Sequence, residues 1–150
     1  LWNMFDFAVP MWERGGVPAR NLKGMVTFDR KIKKDSYYWY KANWSKEPVL
    51  YQTQRRNVDR ERKETSVTVY SNIGTPVIYL NGKPLEGIRQ GYTEVHYVFD
   101  KVTLAQGKNI LKAVVSYQGK EYVDEIEWNY TGEKNRGTIV HENKKEHAGW

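Results

Sequence analysis

Two short groups of side chains near the start of the sequence could bind a polar, ring-shaped ligand. In the first group an indole, an amide and a carboxylate lie in one apolar run. In the second an amide and an ammonium lie two residues apart, just before a glycine. An indole offers a flat apolar face to the C–H face of a sugar, an amide can bond a hydroxyl, and a lysine can hold a hydroxyl or a carboxylate. Spacing alone also allows a core tryptophan and a surface lysine. The candidate substrate-binding residues are Trp2, Asn3, Asp6, Asn21 and Lys23.

No pattern in the sequence indicates catalysis. The chain has no cysteine and no glycine-rich phosphate loop. Nucleophile motifs and metal-ligand spacing are absent around the three histidines, so we interpret them as structural or surface residues; they are His96, His141 and His147. Glycoside hydrolysis needs two carboxylates, and the acids near the candidate pocket are Asp6, Glu13 and Asp29. Basic residues follow Asp29, which favours a turn or an ion pair. We predict no catalytic residue, no metal site and no cofactor in this chain.

Charge and hydropathy limit the classes of partner. The net charge is +6, but basic and acidic residues alternate rather than forming a stripe, so we expect no nucleic acid partner. The densest charged run, residues 55–64, carries both signs and is predicted to be a solvated loop. No apolar run has the length of a membrane span, so no membrane partner is expected. The sequence begins at Leu1 inside an apolar run, which favours a fragment cut from a longer protein.

Residues 1–48 have the pattern of a strand, a long loop and a helix. Residues 1–8 are apolar on both faces, as in a parallel sheet covered by helices, and prolines and glycines mark 9–24 as an irregular loop. Asp35 is the expected N-cap of a helix over 36–46. One aromatic face of this helix is predicted to pack in a core, and it consists of Tyr37, Tyr40 and Trp44.

From residue 49 the hydrophobic period changes to two, which is typical of strands. Asn81-Gly82 is a predicted hairpin turn, because both residues tolerate positive φ, and Gln118-Gly119 is predicted to be a second one. Short strands at regular spacing predict a mainly β chain with an immunoglobulin-like β-sandwich over 49–130. The polar tail, 131–150, is expected to be loosely ordered or laid along the surface. The predicted strands are 49–54, 66–71, 76–80, 83–86, 94–99, 109–117 and 121–129.

Three stretches in the first third of the chain carry a family resemblance. They are Leu1-Trp2-Asn3-Met4-Phe5-Asp6-Phe7-Ala8, Asn21-Leu22-Lys23-Gly24-Met25-Val26-Thr27-Phe28-Asp29-Arg30-Lys31 and Tyr40-Lys41-Ala42-Asn43-Trp44. In order and spacing they resemble the end of the catalytic barrel of glycoside hydrolase family 2, which contains β-galactosidases, β-glucuronidases and β-mannosidases. The remainder resembles, less specifically, the immunoglobulin-like C-terminal domain of Bacteroides-type β-galactosidases.

The resemblance implies a division of the chain and a set of roles. Residues 1–48 would be the last strand, loop and helix of a (β/α)8 barrel, whose active site lies at the C-terminal ends of the strands. Trp2 would line the sugar subsite. The two catalytic glutamates of the family come from the fourth and seventh strands, which precede this segment. The fragment alone is therefore expected to be inactive, and residues 1–48 to be exposed or poorly ordered without their barrel partners.

The function implied is that of the C-terminal portion of a retaining glycoside hydrolase acting on terminal β-galactosides. A β-glucuronidase is the first alternative, because Asn21-Leu22-Lys23 matches the Asn-x-Lys motif that holds the substrate carboxylate in those enzymes. Asn-x-Lys-Gly stretches also occur in β-galactosidases of the family. A non-catalytic carbohydrate-binding or interaction domain is the second alternative. Carbohydrate is the expected partner, oligomeric state stays open, and the resemblance favours a periplasmic or secreted enzyme over a cytoplasmic one.

Overall fold

The computed structural model describes residues 3–10 and 17–132, and these form a short N-terminal piece followed by a β-sandwich. The predicted tail beyond residue 132, together with Trp2 and Glu13, lies outside the described residues. Within the described part, no helix is long and apolar enough to cross a membrane.

The N-terminal piece is held by short backbone pairings rather than by a long strand. Strand β1 (Phe7–Ala8) pairs antiparallel with β2 (Arg20–Asn21), and single bridges join Phe5 to Val26 and Val26 to Lys33. The predicted strand over 1–8 is therefore wrong in length, since in its described part only Phe7–Ala8 is a strand. A strand persists only where a neighbour accepts and donates its backbone hydrogen bonds, and the loop runs beside this segment for only a few residues.

Helix α1 (Asp35–Trp44) follows, and it differs from the prediction at its start and in its packed face. Asp35 is not the N-cap: Lys34 holds that position and makes no side-chain cap bond. Ala42 is the buried residue of the helix, whereas Trp44 is 68% exposed, so the predicted core packing of Trp44 is wrong. The face that packs on the sandwich contains Tyr38 and Ala42, because these residues contact Tyr51 and its neighbours.

Nine strands in two sheets make up the sandwich. One sheet has the order β3-β5-β9-β8 and the other β4-β11-β10-β6-β7. This strand order matches that of the ABED and GFC sheets of an immunoglobulin-like sandwich, with short extra strands at the edges. The predicted mainly β fold is confirmed; two of the strands, β4 and β8, were not predicted. The strands are β3 (Leu50–Gln52), β4 (Asp59–Arg60), β5 (Glu64–Ser71), β6 (Val77–Leu80), β7 (Lys83–Pro84), β8 (Ile88–Gln90), β9 (His96–Thr103), β10 (Gly107–Tyr117) and β11 (Lys120–Tyr130).

The core lies between the sheets and follows the alternation seen in the sequence. Val67 and Val69 of β5 face Leu111 and Ala113 of β10 within one buried cluster, and Trp128 fills its end. Both predicted hairpins are confirmed. Leu80 pairs with Lys83 across Asn81-Gly82, and Tyr117 pairs with Lys120 across Gln118-Gly119. All four turn residues have positive φ, as a two-residue turn of this kind requires.

The charged run over 55–64 is not wholly solvated, which corrects the prediction. Arg60 is only 8% exposed, and its guanidinium lies 3.8 Å from the centroid of the Trp128 ring. Burial lowers the pKa of Arg60. One basic side chain of the run therefore closes the end of the core, because its flat guanidinium can stack on an indole.

Candidate functional site

The loop of the Asn-x-Lys motif is fixed by three hydrogen bonds from different parts of the N-terminal piece. The side-chain oxygen of Asn21 accepts the backbone N–H of Lys23 at 3.0 Å, which forms a local turn. The carbonyl of Leu22 accepts from the Lys34 ammonium at 2.8 Å. The backbone N–H of Gly24 donates to the Asp6 carboxylate at 2.9 Å. Each residue of the motif therefore has a determined backbone position.

Asp6 lies under this loop and is 5% exposed. Its Oδ1 accepts both the Gly24 N–H and the Lys34 ammonium, the latter at 2.7 Å. A buried carboxylate is stable only when it is paired and hydrogen-bonded, and these two donors meet that need. The structure thus gives Asp6 a bracing role beneath the motif. The predicted direct contact of Asp6 with a ligand stays a prediction.

Gly24 is required by close contact between the loop and the preceding segment. A Cβ atom at this position would lie 2.1 Å from the carbonyl carbon of Phe5 and 2.2 Å from the backbone nitrogen of Asp6. Since both are backbone atoms, no side-chain rotation could relieve the overlap. The glycine that ends the motif therefore allows the loop to lie directly on the segment that carries Asp6.

Lys23 is exposed, and its ammonium forms no hydrogen bond or ion pair with any described residue. The side-chain oxygen of Asn21 is occupied by the turn, which leaves its amide N–H groups as donors. Asn3 is half-buried, and Trp2 lies outside the described residues. The structure thus brings Asp6, Asn21 and Lys23 together, and the side-chain donors of Asn21 and Lys23 bond no other described residue.

Lys34 is the residue of this site that the sequence did not indicate. It stands in a basic run with Lys31 and Lys33, and nothing in their spacing distinguishes one ammonium from another. The one available signal was indirect, since a carboxylate within an apolar run needs a partner if it is buried. Lys34 meets that need from 28 residues away in the sequence.

The start of α1 is also bonded to the sandwich. The Asp35 carboxylate accepts the Tyr51 hydroxyl at 2.7 Å and the backbone N–H of Gln54 at 2.8 Å. The Tyr51 ring stacks on Tyr38 with 3.7 Å between centroids. Burial, and then the hydrogen bond to Asp35, raise the pKa of the Tyr51 hydroxyl well above its usual range. The Tyr51 hydroxyl therefore keeps its proton and remains a donor at every ordinary pH. The joint between helix α1 and the sandwich, formed by Asp35 and Tyr51, does not lose this bond through titration of Tyr51.

Two other predictions concern acids and histidines. Asp29 accepts the Thr27 hydroxyl at 2.5 Å and the Lys31 backbone N–H at 3.2 Å, and these bonds lower the pKa of its carboxyl. The predicted turn role of Asp29 is confirmed. His96 is buried, and its Nδ1 accepts the backbone N–H of Tyr92, so its predicted structural role is also confirmed. In the described part of the chain, no group of three or more acidic or histidine side chains could hold a metal ion.

Comparison with known proteins relates the chain to carbohydrate-processing enzymes. It is 36% identical over 131 residues to a β-glucuronidase of Bacteroides fragilis, covering 87% of this chain and 19% of that enzyme. A Bacteroides fragilis protein of known structure, provisionally assigned as a β-galactosidase, is 79% identical with a TM-score of 0.86; the match covers 91% of this chain and 20% of the other.

A further solved structure adds chemical detail about a relative. Bacteroides uniformis β-glucuronidase 2, solved with cyclophellitol-6-carboxylate aziridine covalently bound, is 28% identical with a TM-score of 0.70; 87% of this chain and 16% of that one are covered. No model of a protein family matches the chain. The resemblance to β-galactosidases and β-glucuronidases is thus confirmed, and the chain is homologous to about one fifth of the length of such glycoside hydrolases.

Proposed function

We propose that this chain is part of a retaining glycoside hydrolase of family 2, and that it supplies one wall of the sugar subsite but no catalytic carboxylate. Residues 1–48 would be the end of the catalytic barrel and the sandwich its brace. Support comes from the homology to part of such enzymes and from a motif loop whose backbone is held by hydrogen bonds, while the side-chain donors of Asn21 and Lys23 bond no described residue. The 150-residue chain by itself should hydrolyse neither a glucuronide nor a galactoside.

We propose a terminal β-glucuronide as the substrate, and the observation that carries this choice is the exposed ammonium of Lys23, which has no bonding partner among the described residues. A uronate carboxylate at a lysine gains an ion pair together with its hydrogen bond, whereas the neutral hydroxymethyl of a galactoside gains a hydrogen bond without an opposite charge. Asn21 would donate from its amide to the same substituent. The relative whose structure contains a covalently bound, carboxylate-bearing aziridine is a β-glucuronidase, which supports the same choice.

A terminal β-galactoside is the second candidate, and it is the substrate class that the family resemblance first favoured. Its specific support is the relative that is 79% identical to this chain and provisionally assigned as a β-galactosidase. In that case Lys23 and Asn21 would bond the hydroxyl groups of the sugar. The two candidates differ in what the Lys23 ammonium meets on the sugar, an opposite charge in the glucuronide or a neutral hydroxyl in the galactoside.

In the whole enzyme, hydrolysis would proceed by double displacement, with both carboxylates supplied by other parts of the barrel. The task of this chain would be to bind and orient. Trp2 would stack on the sugar face, and Asn21 and Lys23 would hold the substituent at C5. Such positioning lowers the barrier because the reacting atoms are presented to the carboxylates in a fixed geometry.

Replacing Lys23 by Ala in the full-length enzyme tests the substrate. On an aryl β-glucuronide, kcat/KM should fall by about 10–150-fold, the worth of one hydrogen bond to a charged group, while kcat/KM on the matching galactoside should change little. Lys31→Ala removes an exposed lysine of the same segment and should leave both values unchanged. If Lys23→Ala lowers kcat/KM equally on both glycosides, or only on the galactoside, the glucuronide proposal is wrong.

A further inference from the structure

We propose that Lys34 is a positioning residue for Lys23, and that through it the β-sandwich sets the selectivity of the sugar subsite. The inference rests on the proposed uronate-binding role of Lys23. In this proposal Lys34 does not contact the C5 substituent of the sugar. It acts through the loop that carries Lys23, and nothing in the motif or the family resemblance assigns it a role.

The first step is the pair of contacts that one ammonium makes. Lys34 Nζ donates to Asp6 Oδ1 at 2.7 Å and to the Leu22 carbonyl at 2.8 Å. Leu22 directly precedes Lys23, so the peptide unit that leads into Lys23 is held by Lys34. Among described residues, no other side chain bonds both the motif loop and the segment beneath it.

The second step is the contact on the other side of Lys23. The next residue, Gly24, donates its N–H to the same Asp6 oxygen that receives the Lys34 ammonium. Both neighbours of Lys23 are therefore bonded to a single cluster formed by Asp6 and Lys34. The Asp6 side chain is 2% exposed and that of Lys34 25%, so water screens this cluster little.

The third step connects the cluster to the sandwich. The Lys34 backbone N–H donates to the Met25 carbonyl at 2.8 Å. The following residue, Asp35, is bonded to Tyr51 and to the Gln54 backbone, which belong to the sandwich side of the joint. Consecutive residues thus bond different parts of the chain: Asp35 bonds the sandwich and Lys34 bonds the loop. The position of the sandwich therefore influences Lys23 through the adjacent residues Lys34 and Asp35.

Without the Lys34 ammonium, the Leu22 carbonyl would lose its donor, and the Asp6 carboxylate would lose one of its two donors. The loop would keep its sequence and its exposed lysine, but Lys23 would no longer be held in one place. A displacement of about 1 Å at a binding group can cost on the order of 100-fold in rate. The decrease in kcat/KM should therefore be found with the glucuronide, the substrate whose binding depends on the charge of Lys23.

A double-mutant cycle in the full-length enzyme tests this inference. Lys34→Met keeps the stem and removes the charge; it should lower kcat/KM on an aryl β-glucuronide by about 10- to 100-fold, mainly through KM, with at most about a threefold change on the galactoside. In the Lys23→Ala background the same change should cost almost nothing, because residues that act as a unit are not additive. Lys33→Met, the adjacent lysine, is the matched control and should behave as wild type.

Amide exchange in the full-length enzyme gives a readout that does not depend on any substrate. Lys34→Met should make the Gly24 amide exchange at least about tenfold faster, while amides in the centre of β10 keep their rates. If Lys34→Met does not fold, Lys34→Arg replaces it in both experiments. That variant keeps the charge but changes the geometry, so we expect a smaller loss with the same non-additivity.

The outcomes separate this inference from the proposed function. If Lys23→Ala leaves glucuronide hydrolysis intact, the uronate assignment fails. Suppose that Lys23→Ala lowers kcat/KM on the glucuronide alone. The positioning role of Lys34 is then overturned, and the uronate assignment kept, if the fold-changes of Lys34→Met and Lys23→Ala multiply in the double variant. The same holds if Lys34→Met lowers kcat/KM equally on both glycosides. An unchanged exchange rate at Gly24 would overturn it as well.

Discussion

Lys23 and Asp6 are close in the fold and have opposite surroundings. The Asp6 carboxylate is buried and has two donors, whereas the Lys23 ammonium is exposed and has no bonding partner among the described residues. A charge that is buried and paired has its geometry settled by the protein itself. A charge that is held in place but left unpaired is available to a ligand. These surroundings give Asp6 a bracing role, and they are the reason that we propose Lys23 as the residue that recognises the ligand.

Gly24 provides a test of this arrangement at a single backbone position. Gly24→Ala would place a methyl carbon 2.1 Å from the carbonyl carbon of Phe5, so the loop must move away from the segment that carries Asp6. We expect a loss of about 1–3 kcal/mol in the free energy of unfolding of the N-terminal piece, measured by amide exchange of Val26 and its neighbours. In the full enzyme kcat/KM on a glucuronide should fall with it.

The control for that substitution lies two residues earlier in the same loop. Leu22→Ala shortens an exposed side chain without touching its backbone carbonyl, so the free energy of unfolding should change by less than about 1 kcal/mol. Equal effects of Gly24→Ala and Leu22→Ala would mean that close backbone contact is not what the glycine provides.

Sequence patterns could identify candidate ligand-binding residues, but not the residues that hold the candidates in place. Asn21 and Lys23 stand out because an amide and an ammonium two residues apart before a glycine have no packing explanation. Lys34 does not stand out, because its importance comes from a carboxylate 28 residues away. Asp6 is a candidate binding residue in the sequence, and its burial, which only the three-dimensional contacts establish, indicates a bracing role.

At the scale of elements, helix α1 has two faces with different surroundings. One face rests on the sandwich through Tyr38 and Ala42, while Trp44 on the other face is largely exposed. The periodicity of Tyr37, Tyr40 and Trp44 correctly indicates a helix, but periodicity does not tell which of two apolar faces meets a given neighbour. Under the proposed function, the remaining barrel would cover the outward aromatic face.

The joint between α1 and the sandwich depends on one hydroxyl. Tyr51→Phe removes the donor to Asp35 and keeps the stacking on Tyr38, so the free energy of unfolding should fall by about 2 kcal/mol. Urea denaturation followed by tryptophan fluorescence measures this change. Because burial and the Asp35 bond raise the pKa of Tyr51 far above neutrality, the loss should be the same at pH 6 and at pH 8.

Tyr70→Phe is the matched control for this joint. The Tyr70 ring lies beside Tyr51, with 6.4 Å between centroids, but its hydroxyl forms no hydrogen bond with a described residue. Its removal should cost less than about 0.5 kcal/mol. An equal loss in the two variants would show that the stacked rings, not the bond to Asp35, hold the helix.

At the scale of the whole molecule, the sandwich could be predicted from the sequence, whereas the contacts that attach other segments to it could not. Alternating residues such as those of β10 mark one buried face, and Asn81-Gly82 fixes a hairpin, so local patterns identify most strands and the fold class. Strands β4 and β8 are two and three residues long and carry no alternation. Long-range polar contacts such as Arg55 to Asp124, at 2.7 Å, follow from the tertiary fold and leave no local signal.

The central claim is that Lys23, held by the Asp6–Lys34 cluster, meets the carboxylate of a glucuronide. A crystal structure of the full-length enzyme with glucuronate bound measures this directly. We expect one carboxylate oxygen within about 2.7–2.9 Å of Lys23 Nζ, with Lys34 still bonded to Asp6 and to the Leu22 carbonyl. A sugar bound in the active site with its carboxylate on other residues and Lys23 directed into solvent would contradict the account.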